Sequence, residues 1–126
     1  MRSDLVALLP RDKMDTERAE AVIALGFPAV EPILPALLEW IQDMNWPVAE
    51  VLQPFLADIG SPLLPHVRRI LETDDDVWKY WVLRCIVAES PELRAMLVDD
   101  LKRLAAKPTS GEQSEELDAL AKELLG

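Results

Sequence analysis

Two stretches thirty residues apart decide the fold: Pro32-Ile33-Leu34-Pro35 and Pro62-Leu63-Leu64-Pro65. Each sets two prolines at i and i+3 at the head of an apolar run. The alignment continues downstream, with Leu37 opposite Val67, Trp40 opposite Ile70 and Ile41 opposite Leu71. The preceding turns also echo one another: Gly26-Phe27-Pro28, Gly60-Ser61-Pro62 and, more weakly, Glu89-Ser90-Pro91. Acidic corners repeat as well, since Asp43-Met44-Asn45 comes 31 residues before Asp74-Asp75-Asp76. Self-similarity at this period is the signature of stacked helical hairpins, because one short hairpin cannot bury its apolar face alone.

Working outward, proline and glycine divide the rest of the chain into segments with apolar residues at helical spacing. Alternating β-branched stretches are nearly absent, so the predicted class is all-α. A first long helix is predicted from Thr16, with Asp15 as N-cap and Gly26 as its end. A second, started twice by Pro32 and Pro35, runs to about Asp43. Pro47 opens a third that ends at Gly60, with Pro54 expected to kink it. Ser61-Pro62 is read as N-cap and first residue of a fourth. Asp75 or Asp76 caps a fifth over Val77–Glu89, and Ser90-Pro91 begins a sixth that runs to about Ala106. Residues 107–112 are expected as a loop before a last helix over 113–125.

Composition bounds the function. The 126 residues carry 13 Lys plus Arg against 23 Asp plus Glu, a net charge of −10, and half are apolar. That length and apolar content suit a single domain over residues 1–126. A chain this acidic repels phosphate backbones, so no nucleic-acid binding is expected. Cys85 is the only cysteine, which rules out an intramolecular disulfide and fits a cytoplasmic protein. The apolar stretch Leu5–Leu9 is too short for a signal peptide, and no run approaches a membrane span.

Leu25-Gly26, Pro28-Ala29-Val30 and Asp43-Met44-Asn45 resemble short HEAT repeats of the type found in phycobilisome lyases. The chain departs from that pattern where Ala49 follows Val48 in place of the usual arginine; Lys79 after Trp78 comes nearer to it. More closely, Asp15–Ala21, Asp43–Ala49 and Asp75–Leu83 resemble a family of short bacterial proteins known as a domain of unknown function. The resemblance implies a right-handed α-α superhelix, a HEAT-like solenoid of about three helical hairpins with N- and C-terminal capping helices. It brings no catalytic residues.

The chemistry-bearing residues are few. His66 is the sole histidine, and it is read as a surface residue beside Arg68 and Arg69. Cys85 shares a stripe with Trp78, Trp81 and Val82 and reads as a small buried hydrophobe. Asp74-Asp75-Asp76 supplies oxygen ligands, but consecutive turn residues do not converge on one ion, and a helix cap is the better role. Gly111 stands alone, so no phosphate loop exists. No catalytic, cofactor or metal site is expected. Trp46, Trp78 and Tyr80 are either core residues or aromatic anchors of a binding face.

The expected function is a non-enzymatic protein–protein interaction or scaffold module, binding along the face made by the second helix of each hairpin. Candidate contacts are Glu39, Gln42, Arg69, Glu72, Arg94 and Lys102, with the three aromatics as anchors. The expected partner is a protein with a basic surface. Two alternatives are an acidic inhibitor or immunity-type protein that neutralises a basic target, and, by fold analogy alone, a lyase-type accessory protein. The charge is unevenly spread. Residues 19–67 hold six acidic groups and no Lys or Arg, residues 108–126 have net −4, and the remaining stretches balance. A basic partner is therefore expected to be drawn most to the N-terminal half.

Overall fold

The Pro-x-x-Pro stretches build the same local structure twice. Residues 31–33 form one 3-10 turn that leads into helix α3 (Leu34–Glu39), and residues 61–63 form another that leads into α5 (Leu64–Leu71). The Ile33 N–H donates to the Val30 carbonyl at 3.0 Å, and the Leu63 N–H donates to the Gly60 carbonyl at 2.9 Å. All four prolines fall in first turns, where an N–H has no helical partner to lose.

The computed structural model describes residues 2–126, with side chains from Leu5 onward. Helices α1 (Arg2–Ala7) and α2 (Thr16–Leu25) precede the first doubled start, and α4 (Pro47–Ile59) joins the two. α4 continues through Pro54 as one helix of 13 residues, although the proline lacks the N–H that would bond the Glu50 carbonyl. α6 (Asp76–Val82) starts at Asp75, whose carboxylate accepts from the Trp78 N–H at 3.0 Å. It then widens into a π turn over Leu83–Val87. α7 (Pro91–Met96) is capped by the Ser90 hydroxyl, which accepts from the Leu93 N–H. α8 (Val98–Ala106), α9 (Ser110–Ser114) and α10 (Leu117–Leu125) complete the chain.

Several boundaries differ from expectation. Ser61 is not an N-cap: Gly60, at φ +74°, holds that position, and the Ser61 N–H donates to the Glu92 carboxylate instead. The sixth predicted helix breaks at Leu97 (φ −102°, ψ 13°) into α7 and α8. The last breaks at Glu116, which adopts the left-handed conformation at φ 57°. Asp15 precedes α2 without capping it by a side-chain bond, because its carboxylate is taken by Arg11 at 3.0 Å.

Among the described residues all regular structure is helical, and no helix is long and apolar enough to cross a membrane. α2 packs on α4, α4 on the π turn, α6 on α10, and α10 lies along α8. Buried apolar side chains from Ala19 to Leu124 form one continuous cluster. Four side-chain bonds tie segments at similar separations. Ser61 to Glu92, Gln53 to the Cys85 carbonyl, Arg68 to Asp100 and Lys79 to Glu112 span 31, 32, 32 and 33 residues. Others depart from this spacing: Arg68 to the Met96 carbonyl spans 28, Arg84 to Glu123 39 and Trp78 to the Leu38 carbonyl 40.

Candidate functional site

Three depressions run in series along the side of the molecule formed by α3, α5 and α8. The first, of about 340 Å³, lies between the α1–α2 connection and the end of α3, lined by Pro10, Glu39, Gln42 and Trp46. The second, of about 170 Å³, lies between α3 and α5, walled by Pro35, Leu38, Ile70 and Trp78 with Glu39, His66 and Arg69. The third, of about 490 Å³, opens between the end of α5 and helices α8 and α9. Glu39 borders the first two and Thr73 the last two, so adjoining depressions share a lining residue, and together they are termed the groove.

Trp46 stands at the start of α4, half-buried, with its ring edge-on to Trp40 at 5.8 Å between centroids. Trp78 is also half-buried and donates its indole N–H to the Leu38 carbonyl at 3.0 Å, which ties α6 to α3. Both tryptophans therefore pack on the core and line the groove at once. Six of the residues picked from the sequence meet here: Glu39, Gln42, Trp46, Arg69, Glu72 and Trp78. The other three do not line it. Tyr80 faces a separate shallow depression with Arg84 and Glu116, Lys102 is exposed elsewhere on α8, and Arg94 is half-buried with an unpartnered Nε.

The largest depression has an ionic floor that was not foreseen. Glu112 is 1% exposed and Lys79 3%. Arg103 donates Nη1 and Nη2 to the two Glu112 oxygens at 2.6 and 3.0 Å, Lys79 Nζ donates at 3.0 Å, and the Thr109 N–H donates at 2.9 Å. Lys79 also meets Asp76 at 2.9 Å. The Arg103 bonds hold the Glu112 pKa down at about 2, against the cost of burial, with Thr109 and Lys79 adding to the effect. Burial works against the Lys79 charge, but the hydrogen bonds it donates to Asp76 and Glu112 outweigh it and raise its pKa. A carboxylate this well paired stays ionised and is no proton donor near neutrality.

Above this floor stand Glu72, Asp74, Asp99 and Asp100. Asp100 meets Arg68 at 3.3 Å; the other three form no ion pair among the described residues. The mouth is therefore acidic while the floor is neutralised, an arrangement that attracts cations. No three His, Cys, Asp or Glu side chains among the described residues are grouped to hold a metal ion. Asp75 serves as a helix cap and Asp76 as the partner of Lys79.

His66 departs from its expected surface role. It lines the middle depression, its Nδ1 is shut off from solvent without a partner, and burial followed by the nearby Arg69 lowers its pKa. Cys85 is half-buried, and burial pushes its thiol pKa up, away from nucleophilic character. One missed feature had a local signal. Thr109-Ser110-Gly111-Glu112 is a capping-box sequence, and both bonds of the box form. No curated protein matches the chain. The match that is found covers residues 8–125, and by it the chain belongs to the family described as a domain of unknown function, DUF5071.

Proposed function

We propose that the chain is a non-enzymatic protein-interaction module: a HEAT-like superhelix of about three hairpins whose partner presents a basic surface along the α3, α5 and α8 side. The observation that carries this reading is a set of three depressions in which adjoining members share a lining residue, Glu39 for the first two and Thr73 for the last two. The repeated helix starts and the ties at separations of 31 to 33 residues support stacking of similar hairpins. The acidic mouth of Glu72, Asp74 and Asp99 favours a basic partner, chiefly through its association rate. Half-buried tryptophans at two points of the groove are the residue type that anchors interfaces.

Site-specific photo-crosslinking in the native host tests the reading. A benzophenone side chain at Gln42, Glu72 or Asp99 is expected to trap one common protein, while the same group at Glu20 or Lys122 traps none. Equal or stronger trapping from the two control positions would overturn the assignment of the binding face.

A further inference from the structure

The middle depression differs in kind from its neighbours. Its exposed lining is mostly apolar, from Pro35, Leu38, Ile70 and Trp78, with Glu39, His66, Arg69 and Thr73 completing it, and its volume of about 170 Å³ is too small for a cofactor or drug-sized ligand. Trp78 forms one wall, its indole N–H bonded to the Leu38 carbonyl. A single apolar side chain is the kind of object such a slot accepts. Thr73 lines both the slot and the neighbouring cleft, where Glu72, Asp74 and Asp99 stand without ion-pair partners among the described residues. His66 also lines the slot, and its Nδ1 is shut off from solvent without a hydrogen-bond partner among the described residues.

We propose that this slot is an anchor site for one leucine-like side chain of a protein segment that carries lysine or arginine beside it, the cations lying over Glu72, Asp74 and Asp99. The proposal rests on the interaction reading above and adds to it the identity of the anchor. Charge complementarity chooses the flanking residues, and the small apolar volume chooses the central one.

The probe is a capped pentapeptide with leucine between two pairs of lysines, titrated into the ¹⁵N-labelled full chain. Saturable shifts are expected at the Trp78 indole N–H and the His66 amide. Exchanging the leucine for glycine is expected to weaken binding about tenfold or more, the scale of burying one such side chain. Exchanging the lysines for glutamates is expected to abolish the shifts. Equal binding of the leucine and glycine peptides, or no saturable shift at Trp78, would overturn the anchor. Shifts confined to the surroundings of Glu72 and Asp99 would overturn it too, yet leave the groove as the binding face.

Discussion

At the scale of single residues, Glu112 matters most to stability. It is the shared acceptor of Lys79, Arg103 and the Thr109 N–H, so its removal leaves a buried ammonium with Asp76 alone. E112A is predicted to cost about 3–5 kcal/mol, the range for breaking a buried pair by deleting one partner; urea denaturation at neutral pH measures it. The pH dependence has a definite sign. The folded pKa of about 2 lies below the ordinary 4.5, so the Glu112 contribution is complete above the ordinary value and drains away as pH falls from 4.5 toward 2. His66 acts in a different window. Its folded pKa lies below the ordinary 6.5, so the unfolded chain binds that proton more readily and stability declines as pH falls below 6.5. E112Q is predicted to flatten the lower limb of the stability–pH curve and H66N the upper one. Melts at a series of pH values between about 7 and about 2 separate the two.

At the scale of elements, the junction after α4 shows how a stop can be both local and long-range. Gly60 sits at φ +74° and ψ −131°, where an L side chain is strained, and a Cβ there would also collide with the Glu92 carboxylate that accepts the Ser61 N–H. Gly26, at φ +72°, has open space around it. G60A is therefore predicted to cost more than G26A: about 1–3 kcal/mol of backbone strain applies to each, and the lost Glu92 cap adds about 1 kcal/mol at Gly60 alone. Thermal melts of the two variants give the comparison, and an equal loss would contradict it. The same junction explains what could be read from the sequence. The prolines at 32, 35, 62 and 65 announced the doubled starts, and Ser90 and Asp75 announced their caps, because these are local geometric demands. Ser61 was misread because the acceptor it needs comes from Glu92, 31 residues away. The breaks at Leu97 and Glu116 carry no glycine or proline, so nothing local marks them.

At the scale of the whole molecule, Glu39, Gln42, Trp46, Arg69 and Glu72 line the depressions because they stand on or just beyond α3 and α5 or at the start of α4, elements whose prolines mark them in the sequence. Lys102 is exposed on α8 and lines none of the three. The Lys79–Glu112 pair was not legible, since its members are brought together only by packing across 33 residues. The unevenness of charge also takes a more specific form. The acidic mouth lies where α5, α8 and α9 meet, wholly inside the stretch that is balanced overall, so local arrangement rather than segment totals sets the field.

The tie between Lys79 and Glu112 has a consequence for the order in which the chain can be made. A ribosome delivers Lys79 and its neighbour Asp76 well before Glu112, so the lysine first has one carboxylate and gains the second, buried one only when residue 112 emerges. α9 thus acts as the clasp that closes over the ammonium. A chain stopped at Lys107 is predicted to leave Lys79 open to amine-reactive labelling, while the full chain protects it; protection in the shortened chain would show that closure does not wait for the clasp.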